Sequence, residues 1–235
     1  MKQSSIWVGW DPRESAAYMV ALSSLRRHCT MPIPARGVIL PRLRSLGLYN
    51  RPTERRAGRL WDVISDAPMS TEHACARFLV PHLAKRGWAL FCDGDMLFRK
   101  NIARVFDSLD PSYAVYCVKH DHEPELLEKM DGQIQTRYAR KNWSSFMIFN
   151  CDHPANQALT VQLINEVPGR DLHAFCWLDS SLIGGLDKQW NYLVGDTVGC
   201  ADPAVVHFTS GTPDMPGYEN SEYAEEWRAE LDRII

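Results

Sequence analysis

The chain has 235 residues, enough for one substantial hydrophobic core. Its formal net charge of -3 and pI near 6.2 give no global attraction for nucleic acid or an anionic membrane surface, so any polyanion site must be local. The first apolar stretch, Ile6 to Trp10, is too short for a signal-peptide core, no later run approaches the roughly 18 apolar residues of a membrane span, and the scattered, odd set of cysteines has no CxxC pair. A soluble cytoplasmic protein with reduced, packed thiols is the expectation.

In chain order, Ile6-Trp-Val-Gly-Trp10 predicts a buried strand, closed by Asp11-Pro12 before a helical pattern that carries Ala17, Val20, Leu22 and Leu25. Val38 to Leu40 predicts a second strand, and the Pro-, Gly- and Arg-rich stretch from Pro41 to Arg59 a surface loop. Ser70 or Thr71 is placed to cap a helix toward Lys85, which Pro81 must kink or end early. Gly87 releases the chain into a strand, Trp88-Ala-Leu-Phe-Cys92, that stops abruptly at Asp93-Gly94-Asp95. Asn101 to Leu109 reads as a short helix, and Tyr113 to Val118 and Phe146 to Phe149 as strands. The polar stretch between them, Lys119 to Lys141, is long for a plain loop and suits acceptor recognition. Helical material follows Pro154, Ala204 to Phe208 is a late strand, and Asn220 to Ile235 is a capped amphipathic helix with Tyr223, Trp227 and Leu231 on one face. With no repeat or low-complexity tract, this alternation predicts an α/β fold in one domain over 1–235, a largely parallel sheet covered by helices, with ligands beyond the C-terminal strand ends.

Asp93 and Asp95 flank the one residue type that permits close ligand approach, and they follow a strand that reads as central. Two carboxylates there need solvent, donors or a cation. Mg²⁺ or Mn²⁺ takes one or two carboxylates and completes its shell with water and substrate phosphate, whereas an ordinary Asp-Gly turn needs no ligand at all.

The spans Ala76-Arg77-Phe-Leu-Val-Pro-His-Leu and Trp88 to Leu97 resemble the Arg-bearing helix and DxD strand end of the retaining glycosyltransferases typified by glycogenin and the bacterial lipopolysaccharide galactosyltransferases, glycosyltransferase family 8. The resemblance implies a GT-A fold, a Rossmann-like sheet flanked by helices. It implies a nucleoside-diphosphate sugar donor, with Asp93 and Asp95 carrying Mn²⁺ against the diphosphate and Arg77 assisting the phosphate or ordering the site. Val8-Gly-Trp-Asp-Pro12 is similar to the family's opening strand and turn, which makes Asp11 and Tyr18 candidates for uracil or ribose contact; capping by Asp11 and core packing by Tyr18 are the plain alternatives. Trp143-Ser-Ser-Phe-Met-Ile-Phe-Asn150 stands where the family has a Phe-Asn-Ala strand, so Ser144 offers a hydroxyl in place of an amide contact to sugar. Trp177-Leu-Asp-Ser180 is similar to the acidic motif near the transferred sugar, and Asp179 inherits that place unless it merely caps the next turn.

Val205-Val-His207-Phe-Thr-Ser-Gly211 resembles the family's His-bearing segment, which supplies the third metal ligand. Taken alone, His207 among apolar residues reads better as a neutral core histidine; with Asp93 and Asp95 available, that balance reverses. The family's phosphate-binding Lys is missing: Gly211-Thr-Pro-Asp-Met-Pro-Gly217 presents Asp214 instead. Arg77, an arginine between Arg42 and Arg59, or the metal must carry that load. A rival metal cluster, His120-Asp121-His122-Glu123, has suitable donors, but an extended backbone splits them to opposite sides. The function expected is metal-dependent transfer of a sugar from a nucleoside diphosphate, uridine diphosphate first, to an acceptor hydroxyl on a glycan or other molecule with retention. Non-catalytic nucleotide-sugar or glycan binding, and a phosphohydrolase using Asp93 and Asp95, are the alternatives.

Overall fold

The structure is a computed structural model and describes residues 4–120 and 140–234. Its centre is a six-stranded sheet of β1 (Ser4–Gly9), β2 (Ala35–Val38), β6 (Trp88–Cys92), β8 (Val115–Val118), β9 (Phe146–Asn150) and β10 (Ile183–Leu186), in the order β10-β8-β9-β6-β1-β2. A small antiparallel sheet joins β3 (Thr53–Arg56), β4 (Arg59–Asp62) and β5 (Ala67–Pro68). A third sheet joins β7 (Met96–Phe98), β11 (Tyr192–Leu193) and β12 (Val205–His207). In the central sheet β1, β2 and β6 run parallel, as do β8 and β10, and β9 opposes both of its neighbours. The sheet is therefore mixed.

The unbroken apolar run of β6 follows from burial on both faces. Its side chains alternate, with Ala89 and Phe91 packing among Trp7, Met147 and Phe149 on one side, and Trp88, Leu90 and Cys92 among Ile6, Val8 and Ile148 on the other. Among the described residues six helices surround the sheets: α1 (Ser15–His28), α2 (Leu40–Ser45), α3 (Val80–Ala84), α4 (Val161–Glu166), α5 (Gly169–His173) and α6 (Ala224–Leu231). Trp227 of α6 is buried with Val20, Leu97 and Phe208, as its apolar face requires, but Tyr223 enters the helix at φ 65° without a side-chain cap.

Three stretches differ from the sequence expectation. Leu40 begins α2 rather than ending a strand, because Pro41 pre-sets the first helical turn. The end of the expected loop, from Thr53, enters the β3–β4 hairpin, and Arg51 just before it is fully buried, ion-paired to Asp62 and donating to the carbonyls of Ile164 and Val167 at 2.8 and 2.7 Å. Hairpin pairing satisfies the backbone even though the strands are too polar to show an apolar face. The helix expected from Ser70 is instead a set of turns, a 3-10 segment at 76–79 and the short α3, because Pro81 occupies the first turn of α3 and cannot lie deep inside a helix. All seven cysteines are free thiols, and no helix of the described residues is long and apolar enough to cross a membrane.

Candidate metal and donor site

The loops that leave the C-terminal ends of β1 and β6 meet at one point. Asp93 follows the last residue of β6, and its N–H donates to the Ser145 carbonyl at 2.9 Å. The chain then turns through Gly94 into β7, which pairs antiparallel with β12 so that Met96 opposes His207. The Phe208 N–H donates to the Asp95 carbonyl at 3.0 Å, locking the register that carries the imidazole to the carboxylates. One ligand atom each from Asp93, Asp95 and His207 lies within 4.8 Å of the others, and among the described residues no other set of His, Cys, Asp and Glu converges in this way.

The donor set fits a divalent cation. His207 Nδ1 is bonded to Asn191 Oδ1 at 3.0 Å, and Nε2 lies 3.2 Å from Asp95 Oδ1. That carboxylate oxygen is buried, yet no well-aligned hydrogen bond reaches it, so the attraction between the two atoms is electrostatic. An orphaned buried anion facing an imidazole nitrogen is costly without a cation between or beside them. Burial opposes protonation of His207, but the adjacent Asp95 outweighs it and raises the pKa.

Asp93 is held differently. Its Oδ1 is ion-paired with Arg77 Nη2 at 2.9 Å and lies 3.0 Å from His73 Nε2, while its Oδ2 accepts from Arg77 Nη1 at 3.3 Å. Arg77 also donates to the carbonyls of Ser144 at 2.9 Å and Ala74 at 3.0 Å, and stacks over Phe91. Burial raises the Asp93 pKa, but Arg77 and His73 together hold it well below the usual carboxylate range. The Arg77 guanidinium is therefore buried and committed to Asp93 and two carbonyls. His73 was not read from the sequence, although its i,i+4 spacing from Arg77 is the visible trace of a shared face. Glu14 was also missed: its pKa is pushed up to about 7 by burial and then by Asp95 and Asp11, so another carboxylate overlooks the site from the turn after β1.

The remaining candidates are occupied by local contacts. Asp11 is buried and caps the turn into α1, accepting from Arg13 through backbone and side chain and from the Glu72 N–H at 2.9 Å. Tyr18 is half-buried against the sheet with its hydroxyl facing Gly37. Ser144 is buried; its carbonyl accepts from Arg77, and its hydroxyl lies 2.5 Å from His173 Nδ1. Asp179 is exposed and caps its own 3-10 turn, accepting from the Ser181 N–H and hydroxyl at 2.8 and 2.7 Å. Asp214 accepts from Thr212 Oγ1 at 2.5 Å, and the sequence has no lysine beyond Lys188 to replace the missing one. His120 is described; Asp121, His122 and Glu123, and Lys119 to Lys141 except at its two ends, lie outside the described residues. A cleft of about 850 Å³, lined by Ser70, Ala74, Arg140, Asp171 and His173, adjoins the segment that supplies His73 and Arg77.

This is the glycosyltransferase GT-A fold. The galactosyltransferase LgtC, solved in complex with donor and acceptor sugar analogs, matches 97% of this chain and 95% of its own at a TM-score of 0.61 and 14% identity. The bifunctional glycosyltransferase WbbM and the glycosyltransferase GlyE of Streptococcus pneumoniae TIGR4 each match 98% of this chain, with TM-scores of 0.61 and 0.60 at 13% identity. The chain spans only 50% and 60% of those two proteins. No family model matches the sequence. At 38% identity over 237 residues, covering 98% of this chain and 87% of the relative, the chain belongs to the same family as Protein CDI of Arabidopsis thaliana.

Proposed function

We propose that the chain is a metal-dependent glycosyltransferase that moves a sugar from a nucleoside diphosphate, uridine diphosphate first, to an acceptor hydroxyl with retention. The observation that carries this reading is the convergence of Asp93, Asp95 and His207 at the C-terminal edge of the sheet of a glycosyltransferase fold. A divalent ion held there, Mn²⁺ before Mg²⁺ because one ligand is a nitrogen, supplies charge neutralisation for the donor diphosphate. Asp95 offers a buried carboxylate oxygen that lacks a hydrogen-bond partner, 3.2 Å from His207 Nε2, and Arg77 with His73 keeps Asp93 ionised and fixed in direction. Fixed groups of this kind favour the leaving diphosphate as its charge grows. With Arg77 buried against Asp93 and the family's Lys absent, the phosphate load would fall on a cation held by Asp93, Asp95 and His207. Asp11 and Tyr18 remain the proposed nucleoside side of the site, and the turn that Asp179 caps the proposed sugar side.

A panel of nucleotide sugars, with Mn²⁺, Mg²⁺ or chelator, tests this reading through release of nucleoside diphosphate and the anomeric configuration of the product. Metal-independent turnover, or an inverted product, would refute the corresponding part. The commitment of Ser144 to His173 and of Asp179 to its own turn favours one second reading, a nucleotide-sugar binder without transfer. Metal-dependent donor binding with no release across a broad acceptor panel would select it.

A further inference from the structure

Around Asn191, which is wholly buried, a set of hydrogen bonds has only one consistent direction. Ser145 Oγ lies 2.7 Å from the Asn142 carbonyl, which can only accept, so the single hydroxyl proton of Ser145 is spent there. Ser145 Oγ must then accept from its other neighbour, and Asn191 Nδ2 donates to it at 2.9 Å. The same Nδ2 donates its second proton to His120 Nε2 at 3.1 Å. With the amide orientation fixed in this way, Oδ1 is the atom that faces His207, and His207 Nδ1 must carry a proton to meet it at 3.0 Å. In the neutral ring the lone pair is consequently on Nε2, the nitrogen that faces Asp95. A flipped amide would turn Nδ2 toward His207, place the ring proton on Nε2 and block ligation.

We infer that Asn191, oriented by Ser145, is a positioning residue that sets His207 as an Nε2 metal ligand. The inference rests on the metal reading above but concerns a different property, the tautomer, which exists without metal. It also gives Ser145 a purpose at a position where the family pattern has a different residue: its hydroxyl relays the polarity of a backbone carbonyl to the imidazole. Histidine ligands commonly donate their second ring proton to an acceptor of this kind, and loss of that acceptor weakens metal affinity by roughly 10- to 100-fold.

The test uses the full chain labelled with ¹⁵N-histidine, metal-free and under alkaline conditions that keep the ring neutral, with the His207 signals identified by their loss in His207→Gln. Long-range ¹H–¹⁵N correlation should show Nδ1 protonated and Nε2 bare. Asn191→Leu should move the population toward the Nε2–H form and lower Mn²⁺ affinity at saturating uridine diphosphate by at least about tenfold, with weaker nitrogen coupling in the electron paramagnetic resonance spectrum. Asn191→Asp keeps an acceptor for Nδ1 and should hold both the tautomer and Mn²⁺ affinity near wild type, a rescue that a merely structural role does not give. An Nε2–H tautomer in the wild-type protein overturns the inference whether or not any variant folds. So does a folded Asn191→Leu protein with wild-type tautomer and wild-type Mn²⁺ affinity. The expected wild-type tautomer without any Mn²⁺ binding supports the assignment of Asn191 and overturns the metal reading instead.

Discussion

A β-carbon on Gly94 would stand 2.5 Å from the carbonyl oxygen of Gly9, so the Asp-Gly-Asp turn is pressed directly against the end of β1. The close approach is the physical reason for glycine between the two carboxylates. Gly9 is confined in turn, since a β-carbon there would meet the His73 ring at 2.5 Å. Gly94→Ala should therefore displace Asp93 and Asp95 while most of the core survives, costing about 1–3 kcal/mol. Calorimetric titration with Mn²⁺ and uridine diphosphate should show affinity reduced by at least about tenfold in a protein whose circular dichroism is unchanged. Wild-type affinity in that variant would separate the turn from ligand binding.

Removal of Arg77 should expose how much of Asp93's charge it balances. Arg77→Gln keeps some hydrogen bonding but leaves the mostly buried carboxylate facing only His73, a loss on the order of 3–5 kcal/mol in the metal-free protein. A divalent cation binding beside Asp93 should then return more stability to the variant than to the wild type, because it replaces the missing positive charge. Thermal melts with and without saturating Mn²⁺ measure both quantities. Equal metal-induced shifts in the two proteins would show that Arg77 and the metal do not share Asp93.

The parts of this site that were legible in the sequence are those carried by short, local signals. The apolar run Trp88 to Cys92 ending in Asp-Gly-Asp gives both the central strand and the carboxylates; Val205 to His207 reads as a strand, and only the family resemblance marks its histidine as the group that converges with them. His73 and Asn191 were illegible for a physical reason: each acts through a contact far along the chain, to Asp93 and to His207, and neither sits in a pattern that one segment can display. The hairpin from Thr53 to Asp62 was hidden because its strands bury little; the one arginine that matters there, Arg51, is buried by a partner and carbonyls distant in sequence. Strand β10 escaped because Gly184 and Gly185 remove the side chains from which alternation is read, and Gly184 is needed where the Tyr116 ring lies 2.4 Å from its would-be β-carbon.

His173 should shape the acid limb of stability. Burial, with Arg77 nearby, lowers its pKa from the ordinary 6.5 to about 3. The unfolded chain therefore takes up the proton first as pH falls, so the contribution of neutral His173 is complete above about 6.5 and is lost progressively toward about 3. His173→Asn preserves an acceptor near the position of Nδ1 but does not titrate. Urea midpoints between about pH 7 and pH 4 should fall more steeply for the wild type than for the variant, by on the order of 2 kcal/mol across that window. Parallel slopes would mean that burial and Arg77 do not hold the ring neutral.

Asp179 offers a separation of charge from local structure. Its carboxylate accepts from the Ser181 N–H and hydroxyl, a role that asparagine fills nearly as well, so Asp179→Asn should melt with the wild type while Asp179→Ala loses about 1 kcal/mol. If the negative charge also serves the transferred sugar, the Asn variant should bind donor with wild-type affinity and lose turnover, because a charge that acts on the developing oxocarbenium-like centre acts only in the transition state. The exposure of Asp179 and its commitment to the turn instead predict kcat/KM within about tenfold of wild type for Asp179→Asn, against a loss of at least about 100-fold for Asp95→Asn, whose buried oxygen has no other good partner. Both variants are to be measured with the same donor and saturating Mn²⁺, with folded fraction checked by circular dichroism. A drop of 100-fold or so in the folded Asp179→Asn protein would place that carboxylate at the reacting sugar and reduce its cap to a secondary role.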